Sequence, residues 1–162
     1  MILGEEEESL EKQIGDALRS KKYRISVAES CTGGLISHRI TNIPGSSDYF
    51  DRGVVVYSNT SKIQLLGVPK LILESFGAVS RETAKAMAEG VKNISNSDFC
   101  LASTGIAGPG GETPTKPVGL VYIGLASNKP TMVREFRFEG KRQEIKAQAA
   151  SEALKMVLEA LS

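Results

Sequence analysis

Short apolar runs that break off into polar, glycine-bearing stretches, each followed by a segment of helical period, constrain this chain more than any other feature. Ile25 to Ala28 ends in Glu29-Ser30-Cys31-Thr32-Gly33-Gly34 and gives way to an amphipathic run from Leu35 to Ile40. Gly53-Val54-Val55-Val56-Tyr57-Ser58 is followed by helical patterns over Asn59 to Leu66, Lys70 to Phe76 and Arg81 to Ile94. Asp98 to Ser103 runs straight into Thr104-Gly105-Ile106-Ala107-Gly108-Pro109-Gly110-Gly111. Runs of this kind suit buried strands, and their alternation with helices demands a sheet covered on both faces. Two later runs, Val118 to Ala126 and Thr131 to Phe138, are joined by Ser127-Asn128-Lys129-Pro130 and are predicted to be antiparallel neighbours. Amphipathic helices are expected over Glu5 to Lys21, through Leu10, Ile14 and Leu18, and over Lys141 to Leu161. The predicted fold class is α/β, a three-layer α/β/α sandwich with a mixed sheet. Residues 1–162 are expected to form a single domain, with an N-terminal helix within residues 1–22.

Length and charge narrow the function classes. At 162 residues and 41% hydrophobic side chains, the chain can bury one substantial core. Twenty basic residues stand against nineteen acidic ones, a net charge of +1, so the one-sided surplus of a nucleic-acid binder is missing. No apolar run approaches membrane-spanning length, and Glu5 to Glu8 stand where a secretory signal carries basic residues. A cytoplasmic protein without membrane or nucleic-acid partners is expected. Two distant cysteines and one histidine cannot assemble an ordinary zinc site; a carboxylate-bound magnesium stays open, although no spacing points to it, and no cofactor is predicted.

The stretch Ala28 to Gly34 reads as a strand-to-helix turn carrying a hydroxyl. Such a turn lifts a side chain clear of the strand and aims the first free N–H groups of the helix at its occupant, a nucleophile or an anion. The competing reading is that Ser30 or Thr32 caps the helix. A serine needs a base, and the single histidine, His38, lies eight residues on, about 10 Å down a helix axis, which argues against a serine–histidine triad. Lysine is the alternative base once burial lowers its pKa. Lys62 follows Tyr57-Ser58-Asn59 closely enough to face the same strand ends, although a solvated helix lysine fits its spacing too. The loop Thr104 to Gly111 offers N–H groups to an oxyanion or room for a ligand, or else is a wide structural turn.

These segments, with Pro44-Gly45-Ser46-Ser47, Gly77-Ala78-Val79-Ser80 and Lys116-Pro117-Val118-Gly119, resemble in that order the CinA C-terminal domain family, from about Arg24 to the chain end. The resemblance implies a metal-free serine amidohydrolase. Its substrate would be nicotinamide mononucleotide, deamidated to nicotinic acid mononucleotide in pyridine-nucleotide salvage. By position, Ser30 resembles the family's nucleophile, Lys62 its general base and Tyr57 a supporting residue, while Thr104 and Gly105 match the segment facing the amide. Substrate contacts are expected from Glu29, Cys31, Thr32, Gly33, Gly34, Asn59, Gly108, Pro109, Gly110, Gly111 and Arg142. Lys146 stands where an arginine is common in the family. A homo-oligomer is expected. The pyrophosphatase-like domain that precedes this one in many relatives is not, because only the acidic helix stands there. The alternative from another class is a nucleotide-binding or regulatory module that keeps the pocket without turnover.

Overall fold

In the computed structural model, which describes residues 8–162, strand and helix alternate as the patterning requires. The elements in chain order are α1 (Leu10–Lys21), β1 (Ile25–Glu29), α2 (Leu35–Thr41), β2 (Phe50–Val55), α3 (Asn59–Leu66), α4 (Lys70–Phe76), α5 (Arg81–Ser95), β3 (Phe99–Gly105), β4 (Leu120–Ala126), β5 (Met132–Arg137) and α6 (Arg142–Leu161). The predicted start of α1 at Glu5 falls partly outside the described residues. Within them the helix opens at Leu10, where the Ser9 hydroxyl accepts from the Lys12 N–H and caps the first turn.

Five strands form one sheet in the order β2-β1-β3-β4-β5. β1 is parallel to both β2 and β3, while β4 and β5 complete the sheet antiparallel, so the sheet is mixed. Alternating side chains divide the core in two. Ile25, Val27, Leu101, Val121, Ile123 and Leu125 face α1, α2 and α6. Ala28, Cys100, Ala102 and Ala126 face α3, α4 and α5. Fully burying an isoleucine or leucine such as Ile123 or Leu154 contributes about 1.5–3 kcal/mol, and the first face holds most of them. The second face is built of small residues, which lets α5 lie close: a Cβ at Gly124 would come within 2.8 Å of the Ala84 carbonyl oxygen. The Arg39 guanidinium knits α1, α2 and α6 together by pairing with Glu11 and donating to the Ser151 hydroxyl.

One strand departs from expectation. The valine run was expected to be a buried strand, Gly53 to Ser58; β2 instead spans Phe50–Val55 at the sheet edge, with Val55 half exposed. Its ladder is set by pairing from Ile25↔Phe50 to Glu29↔Val55, so the strand is used up before Val56, which turns into the second core.

The strand order fixes where a site belongs. From β1 the chain passes through α2 on one face to reach β2, then through α3, α4 and α5 on the other face to reach β3 on the opposite side of β1. The C-terminal end of β1 is therefore a topological switch point, where neighbouring connections diverge and leave a crevice. No helix among the described residues is long and apolar enough to cross a membrane.

Candidate active site

Ser30 is the first residue beyond β1, held in place by its N–H, which donates to the Ser103 carbonyl at 3.0 Å. The chain then reverses through Gly33 (φ +59°) and Gly34 (φ +102°), conformations that a side chain would strain. α2 therefore begins at a glycine with no capping side chain. Glu29 supplies the cap from the strand instead: its carboxylate accepts from the N–H groups of Ile36 (2.9 Å) and Ser37 (3.0 Å).

Lys62 is the side chain that meets Ser30. From the first turns of α3, capped by Ser58, it runs inward until its Nζ lies 3.1 Å from Ser30 Oγ, 2.9 Å from the Val56 carbonyl and 3.2 Å from the Tyr57 carbonyl. Both Ser30 and Lys62 are buried. An ammonium at this place donates to all three oxygens, whereas the neutral amine donates to the two carbonyls and takes the serine proton on its lone pair. Burial pushes the Lys62 pKa below the ordinary 10.5, with a small opposing influence from Cys31. The helix-lysine reading is thus replaced by a buried one.

A titration difference of this sign has a consequence for stability. Between the lowered folded value and the ordinary lysine value, the unfolded chain carries a proton on Lys62 that the folded chain does not, so stability rises with pH across that window. Thermal melts of the native protein and Lys62→Met are expected to diverge in favour of the native protein as pH rises from neutral toward 10. A difference independent of pH would mean that Lys62 is charged when folded.

The other expected contacts sort into three groups. Glu29, Thr32 and Thr104 are buried with their side chains occupied inside the protein: Thr32 donates to Glu29 at 2.7 Å, and Thr104 Oγ1 donates to the Ala78 carbonyl at 2.7 Å. Their side-chain hydrogen bonds are therefore made within the protein. Cys31 is buried, and loss of solvation pushes its thiol up to about 12, so it is no thiolate at neutral pH. Asn59 opens α3 beside a separate depression shared with Thr60, Ile63 and Glu74, away from Ser30. Gly33 instead lies beside Lys146, whose ammonium would sit 3.5 Å from a Cβ built there.

The glycine loop and Arg142 lie together, with a link that the sequence did not reveal. Arg142, in the first turn of α6, donates to the Gly108 carbonyl at 2.7 Å and to the Tyr57 phenol oxygen at 2.9 Å. The Tyr57 ring is exposed and bound to Arg142; its backbone carbonyl, not its phenol, reaches Lys62. A cavity of about 290 Å³ opens between Tyr57, Val79, Gly105, Gly108, Gly110, Gly111 and Arg142. Pro109 is exposed on the same loop. His38 is exposed on α2 and makes no side-chain contact with Ser30.

Backbone donors face the same place. The Ser103 carbonyl bonds toward β1 and the Ile106 N–H toward β4, so by strand alternation Gly105 turns its N–H to the β1 side, where Ser30 sits. A Cβ at Gly105 would meet the Leu120 carbonyl oxygen at 2.7 Å, so only glycine lets this end of β3 lie so close to β4. The N–H groups of Cys31 and Thr32 have no acceptor among the described residues. No cluster of histidine, cysteine and carboxylate side chains able to hold a metal occurs among them either.

A three-layer α/β/α domain with a buried serine–lysine pair at the switch point, ringed by free backbone N–H groups, is the class that fold and site define. The chain belongs to the CinA family: the sequence profile described as CinA C-terminal domain matches residues 7–161. A putative competence-damage inducible protein of Caldicellulosiruptor bescii is 51% identical over 156 residues, covering 96% of this chain and 38% of the relative. A CinA-like protein of Endomicrobium trichonymphae is 51% identical over 156 residues, covering 96% and 36%. The chain thus spans well under half the length of these curated relatives. Among solved structures, competence/damage inducible protein CihA of Agrobacterium tumefaciens superposes with a TM-score of 0.91 at 44% identity, over 94% of this chain and 93% of that one. A CinA superfamily protein of Enterobacter cloacae gives 0.91 at 29% identity, over 100% and 99%.

Proposed function

We propose that this domain hydrolyses the carboxamide of nicotinamide mononucleotide, giving nicotinic acid mononucleotide and ammonia, with Ser30 as nucleophile and Lys62 as base. The observation that carries the reading is the buried 3.1 Å contact between Ser30 Oγ and Lys62 Nζ, with the lysine held to two carbonyls by its other bonds. Ser30 Oγ attacks the amide carbon as its proton passes to Lys62. The oxyanion falls to the N–H groups of Cys31 and Gly105. Collapse breaks the C–N bond, and Lys62 returns the proton to the departing nitrogen, which leaves as ammonia. Water then attacks the Ser30 ester and gives its proton to Lys62. The acid is released as Ser30 takes that proton back.

The nucleotide as substrate, in preference to smaller amides, is supported by the cations beside the turn and the cavity. Lys146 lies beside Gly33, and Arg142 borders the loop cavity. Binding energy from a remote phosphate can orient the carboxamide for attack. Nicotinamide mononucleotide is expected to be processed at least about 100-fold more efficiently, in kcat/KM, than nicotinamide riboside or free nicotinamide. Release of ammonia from the three compounds, followed side by side, measures this. Equal efficiency would remove the phosphate from the account. Binding of the nucleotide without ammonia from any of the three would instead mark a regulatory module.

A further inference from the structure

The residues around Ser30 are tied into a directed chain of hydrogen bonds that ends on a buried carboxylate. Glu29 is fully buried and accepts four bonds: from the Ile36 N–H (2.9 Å), the Ser37 N–H (3.0 Å), the Ser37 hydroxyl (2.7 Å) and the Thr32 hydroxyl (2.7 Å). Thr32 has one hydroxyl proton, and it goes to Glu29. In its second contact, 2.7 Å to Ser103 Oγ, Thr32 can therefore only accept, so Ser103 is the donor. Donation runs from Ser103 to Thr32 to Glu29. Ser103 sits opposite Glu29 in the β1–β3 ladder, and its carbonyl also accepts the Ser30 N–H. Ser103 thus grips the turn twice, once on each side of Cys31.

We propose that the Ser103–Thr32–Glu29 chain is a positioning device that holds the Ser30 hydroxyl on Lys62, resting on the reading of Ser30 as nucleophile. The turn needs such a device. It contains two glycines at positive φ, and α2 has no capping side chain of its own, so local structure adds only the backbone bonds from the Gly33 N–H to the Ser30 carbonyl (3.1 Å) and from the Leu35 N–H to the Thr32 carbonyl (3.0 Å) to the angle at which Ser30 leaves β1. A carboxylate buried with four donors is compensated, and it ties the strand end rigidly to the helix start. Ser103, Thr32 and Glu29 do not bond to Lys62, whose polar contacts are Ser30, Val56 and Tyr57. Their influence on the chemistry passes through the placement of Ser30, where a displacement of about 1 Å is enough to cost roughly 100-fold in rate.

Thr32→Val removes the hydroxyl and keeps the shape; Thr32→Ser keeps the hydroxyl. Thr32→Val is expected to lower kcat about 100-fold with KM within about twofold and the midpoint of the pH–rate profile unmoved, while Thr32→Ser stays within a few-fold of the native rate. Ser103→Ala, which keeps the carbonyl that holds Ser30, should reproduce Thr32→Val and replaces it if that variant does not fold. A fluorophosphonate gives a second readout independent of the amide substrate. Ser30 Oγ bonds to phosphorus, fluoride leaves and the serine proton goes to Lys62; labelling should slow about 100-fold in Thr32→Val and not in Thr32→Ser. Labelling at the native rate in folded Thr32→Val, or equal losses in the valine and serine variants, overturns the positioning role. Labelling of the native protein without ammonia from nicotinamide mononucleotide sinks the substrate alone, while failure of the native protein to label sinks nucleophile and positioning chain together.

Discussion

Ser30→Ala is expected to lose amide hydrolysis by roughly 10⁴-fold or more while unfolding within about 1 kcal/mol of the native protein. The loss is large because the hydroxyl is the atom that forms the covalent bond, and no second group can take its place. The stability change is small because the hydroxyl's protein hydrogen bond is the one to Lys62, whose amine keeps both carbonyl partners. The rival nucleophile is Cys31, intrinsically more reactive as a thiolate. Burial holds its thiol near a pKa of about 12, so Cys31→Ala is expected to retain most of the rate. Steady-state assay of the two variants decides between them. Turnover surviving in Ser30→Ala and lost in Cys31→Ala would transfer the role.

Lys62→Arg is expected to be nearly as inactive, by about 10³-fold or more, despite keeping a cation. A guanidinium cannot give up a proton at working pH, and its planar fork does not fit a site built from two carbonyls and a hydroxyl around one nitrogen. Because burial lowers the Lys62 pKa, the rate of the native enzyme should rise with pH on the side where lysine deprotonates, with its midpoint below 10.5. Below that midpoint Lys62 is an ammonium and cannot accept the serine proton, so activity falls as pH falls. A pH–rate profile with no limb of midpoint below 10.5 that rises with pH, or Lys62→Arg retaining native kcat, would make Lys62 an electrostatic anchor and move the base elsewhere.

The sequence made the layered fold legible because its two periodicities were clean. Leu10, Ile14 and Leu18 marked α1, the strand runs marked β1 and β3, and Ser127 to Pro130 marked the hairpin of β4 and β5. β2 was misjudged because three consecutive valines suit a buried strand as well as an edge, and pairing with β1 selected the earlier residues. The serine, the lysine and the glycine loop were each visible as a type of residue at a strand end. Their meeting was not, because the parallel pairing of β1 and β2 brings α3, with Lys62, beside the end of β1, and spacing alone does not encode that pairing. The link from Arg142 to Tyr57 joins residues 85 apart and leaves no local trace.

Glu29 illustrates a signal that was present and not used. An acid at a strand end, just before a helix whose first residues offer glycines and no capping side chain, is a capping carboxylate waiting for its helix. Ser103 carried no such mark. It lies in an apolar run as one more strand residue, and its hydroxyl acquires a role through a neighbour on another strand.

The central claim, that this serine–lysine pair cleaves a nucleotide carboxamide, is tested most directly by incubating the purified protein with nicotinamide mononucleotide and quantifying both products together. Native protein is expected to form ammonia and nicotinic acid mononucleotide in a one-to-one ratio, and both should disappear in Ser30→Ala and Lys62→Arg. No ammonia from the native protein, or ammonia undiminished in Ser30→Ala, would contradict the account.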